Sequence, residues 1–166
     1  MLPQETLTQA AGLLDLLQAR GITLATAESC TGGLVAAAVT AIPGSSATLL
    51  GGFVTYSNAA KAKSVGVDPA VIGRLGAVSA EVAAAMAEGA ARESGAAMGI
   101  STTGIAGPGG ATPGKPVGLV FIGVALAGQP ARTERHVFPG GRDAVRAATV
   151  AAALRMAAAV AAGAEG

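Results

Sequence analysis

One serine, one tyrosine and one lysine carry most of the chemistry that this sequence offers. Ser29 lies in Glu28-Ser29-Cys30-Thr31-Gly32-Gly33, a turn between a short β-forming run and an apolar helical stretch. A strand-to-helix turn of this kind points a hydroxyl outward and aims backbone N–H groups at whatever is bound. Those N–H groups suit a phosphate or the oxyanion of an acyl transfer. The plainer reading is that Ser29 or Thr31 only caps the helix. Tyr56 is the only tyrosine, and Lys61 follows it by five residues. His136 is the only histidine, in a strand-like run with no serine or aspartate motif beside it, which suits a paired surface histidine. A Ser-His-Asp triad is therefore not expected, and a hydrolytic base would have to be lysine or tyrosine. Cys30 competes with Ser29, because a thiol at a helix N-terminus is reactive. A small buried cysteine is the commoner role.

Two further segments could hold a ligand. In residues 104–116, Gly109, Gly114 and Lys115 have the spacing of a phosphate-binding P-loop. Pro116 replaces the required Ser/Thr and a strand follows instead of a helix, so that match is rejected. The dinucleotide fingerprint fails for the same lack of a helix. Such a loop still permits close backbone approach to a ligand, or is an ordinary surface connection. Arg142 and Arg146 are four apart at the start of the last helix and so share a face. Two guanidiniums beside Gly140-Gly141 suit a phosphate, with a solvated helix face as the alternative.

The elements that must position these residues follow from periodicity. Helices are expected at 4–20, 34–41, 59–64, 69–75, 79–94 and from 140–141 to about 162, with Ser79 as an N-cap. Strands are expected at 22–27, 48–56 and 97–103, with Gly51-Gly52 as a bulge. The runs 117–126 and 132–138 flank Ala127-Gly128-Gln129-Pro130 as a hairpin. Helices alternating with strands imply an α/β fold: a three-layer α/β/α sandwich around a mixed sheet with one antiparallel hairpin. No linker or repeat divides residues 1–166, which read as a single domain.

Composition bounds the function. Of 166 residues, 51% are hydrophobic and 13% charged, which excludes intrinsic disorder. The net charge of +1 gives no electrostatic footprint for nucleic acid. One Cys and one His exclude a disulfide framework and an ordinary zinc site, so no metal is expected. The N-terminus lacks a basic start and Glu5 and Asp15 interrupt it, unlike a signal peptide. Arg146 and Arg155 break the Ala-rich C-terminus, which reads as a core helix and not a membrane span. A soluble, cytoplasmic chain with no membrane contact is expected. Its apolar Ala-rich helices point to a homo-oligomer.

Five blocks then occur together: residues 27–33, 52–58, Gly76-Ala77-Val78-Ser79, Thr103-Gly104-Ile105-Ala106-Gly107-Pro108 and Lys115-Pro116-Val117-Gly118. In this order they resemble the CinA C-terminal domain family, over nearly the whole chain from about Leu7. The resemblance implies a nicotinamide-nucleotide amidohydrolase, which releases ammonia from the carboxamide of nicotinamide mononucleotide without metal or cofactor. It implies Ser29 as nucleophile and places Tyr56 and Lys61 in the catalytic set. Thr103, Arg142 and Arg146 also match the family pattern, and with Thr31, Gly32, Gly33 and Gly104, whose N–H groups suit an anion, they are the expected substrate contacts. Residues 109–114 and Pro139-Gly140-Gly141 depart from the family pattern.

On that footing the expected mechanism is a Ser–Lys amidase, with a neutral Lys61 taking the Ser29 proton. Burial is what lowers a lysine's pKa far enough for that. Tyr56 would position Lys61 or hand a proton to the departing ammonia. The N–H groups of residues 31–33 or of the Gly104 loop would hold the oxyanion, and the other set, with the arginines, the phosphate. A phosphate-binding Lys61 is the rival. A catalytically silent nucleotide-binding module, or an amidase for another nucleotide amide, are the alternatives for the whole chain.

Overall fold

A computed structural model describes residues 2–163. Helix α1 (Gln4–Ala19) buries Ala10, Leu13, Leu14 and Leu17, an apolar stripe at helical spacing. Strand β1 (Leu24–Glu28) is buried along its whole length, as a central strand must be. Helix α2 (Leu34–Thr40) leads through a short 3-10 turn (Ser45–Ala47) to β2 (Leu49–Val54), whose alternating exposure marks an edge strand. Helices α3 (Asn58–Val65), α4 (Pro69–Leu75) and α5 (Ala80–Ser94) follow, with Ser57, Asp68 and Ser79 accepting from their first-turn amides. Strands β3 (Met98–Gly104), β4 (Leu119–Leu126) and β5 (Arg132–Val137) and helix α6 (Arg142–Ala162) complete the fold.

The strand order is β2-β1-β3-β4-β5. Strand β1 runs parallel to both β2 and β3, whereas β3–β4 and β4–β5 are antiparallel. The expected hairpin is present, and a second antiparallel pairing, β3–β4, joins it. Between Leu24↔Leu49 and Ala25↔Gly51 the register skips Leu50. The bulge therefore falls one residue before the expected glycine pair.

Helices α1, α2 and α6 pack on one face with Leu24, Met98, Ile100, Val120 and Ile122. Val65, Ile72, Val82, Met86 and Ala90, from the intervening helices, pack on the other with Ala25 and Ala27. This is the α/β/α sandwich read from the sequence. α6 is long and apolar enough to cross a membrane by length and composition. In the fold it is a core helix, burying Val145, Val150, Leu154, Met156 and Val160.

The parallel strands decide where a ligand can sit. The connection after β1 leads through α2 on one face, and the connection after β2 leads through α3, α4 and α5 on the other. Strands β2 and β3 flank β1 on opposite sides, so a crevice opens beyond the carboxyl end of β1, where the winding reverses.

Candidate active site

Ser29 stands at that reversal. Glu28 is in register with Val54 on β2 and Thr102 on β3. One residue on, the Ser29 amide donates to the Thr102 carbonyl (2.9 Å) and the Thr55 amide to the Glu28 carbonyl (2.8 Å). Strand pairing thus brings the residues after three strands into one row. From this row Ser29 lines a cleft of about 290 Å³, with Cys30, Tyr56, Asn58, Lys61, Thr103 and Arg142.

Lys61 enters from α3. It shares a helix face with Val65, four residues on, and that face is turned inward. Gly89 on α5 makes this approach feasible: a side chain there would collide with the Val65 carbonyl. Lys61 is 1% exposed, a rare state for a lysine. Its Nζ donates to the Thr55 carbonyl (2.9 Å) and lies 3.0 Å from Ser29 Oγ. No carboxylate pairs with it among the described residues. Burial lowers the Lys61 pKa from 10.5, against a weaker pull from the Cys30 thiolate. Burial also pushes the Cys30 thiol up to about 11, helped by the Glu28 carboxylate, so near neutral pH that thiolate is scarcely formed. Cys30 is thus a poor nucleophile, and Lys61 loses its proton more easily than an exposed lysine.

Glu28 is the residue that sequence reading passed over. Expected in the turn, it ends β1, fully buried. Its Oε1 accepts from Thr31 Oγ1 (2.6 Å) and the Val35 amide (2.8 Å), and its Oε2 from the Ala36 amide (3.1 Å) and, at 3.5 Å, Thr26 Oγ1. A carboxylate so placed fills the N-terminus of α2. The Val35 and Ala36 amides are thus taken by an internal anion, whereas the N–H groups of residues 31–33, expected to face a ligand, are not among its partners. The available signal was a glutamate ending an otherwise apolar run.

The expected ligand residues divide accordingly. Thr31 is buried, bonded to Glu28 and within 2.7 Å of Thr102 Oγ1. Gly32 and Gly33 take left-handed backbone angles (φ 59° and 105°) that favour glycine, and shape the turn. None of residues 31–33 lines the cleft. Thr103 and Gly104 do, with Thr103 Oγ1 donating to the Ala77 carbonyl (2.8 Å). Arg142 reaches the cleft rim, donating to the Gly107 carbonyl and to Tyr56 Oη, both at 2.9 Å. Arg146 shares its helix but turns to the back of the Ser29 turn, donating to the carbonyls of Cys30 and Thr31. The arginine pair is thereby split. Tyr56 is 60% exposed at the rim, and the Thr55 carbonyl, not Tyr56, holds Lys61 in place. His136 is far from this chemistry in β5, bonded to Glu134 and stacked on Phe138.

The chain is similar to known proteins in both sequence and structure. The model of the CinA C-terminal domain matches residues 6–161. A CinA-like protein of Myxococcus xanthus is 50% identical over 147 residues, 89% of this chain and 35% of its own length. A CinA-like protein of Chlorobaculum tepidum is 51% identical over 147 residues, 86% of this chain and 35% of its own length. The chain thus spans about a third of the curated relatives it matches. The crystal structure of a competence/damage inducible protein from Agrobacterium tumefaciens superposes with a TM-score of 0.93 at 40% identity, covering 96% of this chain and 98% of that one. With fold, motif blocks and overall sequence in accord, this chain belongs to the CinA C-terminal domain family.

Proposed function

We propose that this chain hydrolyses the carboxamide of nicotinamide mononucleotide to nicotinate mononucleotide and ammonia, with Ser29 as nucleophile and Lys61 as base. One observation carries the reading: a buried, unpaired lysine amine 3.0 Å from a serine hydroxyl at the mouth of a cleft. A lysine serving only to bind phosphate would sit where solvent and ligand charge reach it; this one is withdrawn beneath the serine.

The steps follow from the geometry. The Thr55 carbonyl holds one N–H of the neutral amine, leaving the nitrogen lone pair for the Ser29 proton. Ser29 Oγ bonds to the carboxamide carbon, and the carbonyl π pair moves onto oxygen. The Lys61 ammonium then returns its proton to the amide nitrogen, the C–N bond breaks, and ammonia departs from an acyl-serine ester. Water, deprotonated by Lys61, attacks the ester carbon; nicotinate mononucleotide leaves and Ser29 regains its proton.

The phosphate has one favourable end. Glu28 fills the α2 N-terminus and would repel a second anion, whereas Arg142 and the backbone after Gly104 face the open rim. Family membership supports an enzyme of this type. The test is release of ammonia from nicotinamide mononucleotide by the purified chain and by Ser29→Ala. Release by the wild type, abolished in Ser29→Ala, is expected. Nucleotide binding without ammonia would instead favour a silent binding module. Activity surviving in Ser29→Ala would remove the serine from the mechanism.

A further inference from the structure

The turn that carries Ser29 is gripped from two sides by groups of opposite charge. Glu28 accepts from the Thr31 hydroxyl and from the Val35 and Ala36 amides of the helix that follows. Arg146, four residues into α6, donates through Nε to the Cys30 carbonyl and through Nη2 to the Thr31 carbonyl, both at 3.2 Å. The ion pairs among the described residues, Arg92–Glu93 and Glu134–His136, do not involve it. A guanidinium that bonds two successive backbone carbonyls, and no carboxylate, fixes the orientation of both peptide units, because each unit is planar.

That fixing matters here for a local reason. Gly32 and Gly33 end the turn in left-handed conformations, and glycine is the residue whose backbone turns most freely. Within the turn itself, the Gly32 amide returns to the Ser29 carbonyl (3.1 Å). The Leu34 amide also bonds the Thr31 carbonyl (3.1 Å), and Arg146 adds a hold from outside the turn on both the Cys30 and the Thr31 carbonyls.

We infer that Arg146 is a positioning residue: by holding the Cys30 and Thr31 carbonyls it keeps Ser29 Oγ in register with Lys61. The inference rests on the Ser29 amidase reading. Arg146 touches neither Lys61 nor the cleft, so it acts only through the turn. On its outer side it borders a second cavity of about 610 Å³, beside Pro3, Leu34, Ala37 and Asp143. Truncating Arg146 therefore leaves a vacancy that a free guanidinium ion can enter from the side opposite the substrate.

The experiment compares wild type, Arg146→Ala and Arg146→Lys by ammonia release from nicotinamide mononucleotide, by the rate of Ser29 labelling with a fluorophosphonate, and by thermal midpoint. Misplacement of the nucleophile by about 1 Å predicts a kcat about 100-fold lower in Arg146→Ala. KM should stay within about threefold, as for a group that does not bind substrate. Ser29 labelling should slow in parallel, and millimolar guanidinium chloride should restore both rates. Arg146→Lys, with a point charge that cannot bridge two carbonyls, should fall between.

An unchanged kcat overturns the inference. So does a loss confined to KM, which would return Arg146 to phosphate binding, or a fallen thermal midpoint with no guanidinium rescue, which would make the role merely structural. A wild type that labels at Ser29 but releases no ammonia sinks the substrate reading alone, and the labelling rates still decide on Arg146. A wild type that does neither overturns both.

Discussion

Glu28 and Lys61 are both buried ionisable residues, set on either side of Ser29, yet their surroundings differ sharply. Glu28 receives hydrogen bonds from Thr31 Oγ1 and from the amides of Val35 and Ala36, so the protein replaces its lost water. Lys61 has one carbonyl and one hydroxyl within reach and no anion beside it. A charge fully met by partners becomes structure, as Glu28 has become the cap of α2. A titratable amine stripped of water and only partly met has its pKa pushed down, so its lone pair becomes available at lower pH than in an exposed lysine.

The largest expected effect falls on the under-solvated side. Lys61→Ala should lower kcat for ammonia release by about 10⁴-fold, the upper range for a general base, with KM little changed. Steady-state kinetics would break the contrast if the loss lay in KM alone, since Lys61 would then be a ligand for phosphate.

On the satisfied side the expected loss is in stability. Glu28→Ala leaves the Val35 and Ala36 amides without an acceptor, each costing about 1–3 kcal/mol, while the Thr31 hydroxyl keeps Thr102 Oγ1 within 2.7 Å. A total near 3 kcal/mol corresponds to a thermal midpoint roughly 10 °C lower for a chain of this size. Calorimetry showing no drop would mean that water readily replaces the carboxylate.

Lys61→Met sharpens the contrast from the other direction, abolishing activity while raising stability by about 1 kcal/mol. Folding lowers the Lys61 pKa below 10.5, so just below that value the unfolded chain binds more protons. Wild-type stability therefore rises with pH from the folded value of Lys61 up to 10.5, and its deficit against Lys61→Met is greatest at lower pH. Denaturant unfolding across that range should show the two curves converging as pH rises. The same proton loss should give kcat/KM an ascending limb with an apparent pKa below 10.5.

The smallest effect is expected at Cys30. Its thiol is pushed up to about 11, so Cys30→Ala should keep kcat within about threefold of wild type. A collapse of activity there, with Ser29→Ala still active, would transfer the nucleophile's role to the neighbouring residue.

Sequence alone determined the elements. Apolar spacing along α1, the Ser79 cap of α5, and the Gly-and-Pro punctuation around the hairpin are local signals, and the observed elements follow them within a few residues. The motif blocks likewise single out Ser29 and Tyr56, and the resemblance they carry adds Lys61, Arg142 and Arg146. What only the tertiary structure decided was which of these residues meet. Arg142 and Arg146 look equivalent four apart on one helix, yet one reaches the cleft and the other the back of the Ser29 turn. Residues 31–33 have the look of an anion site, but they lie outside the cleft lining, and the Val35 and Ala36 amides that follow them are taken by a glutamate from the preceding strand. The physical reason is that periodicity fixes which face a side chain takes on its own element. What that face is packed against, and hence whether a charge is satisfied, exposed or left reactive, depends on contacts between segments distant in sequence.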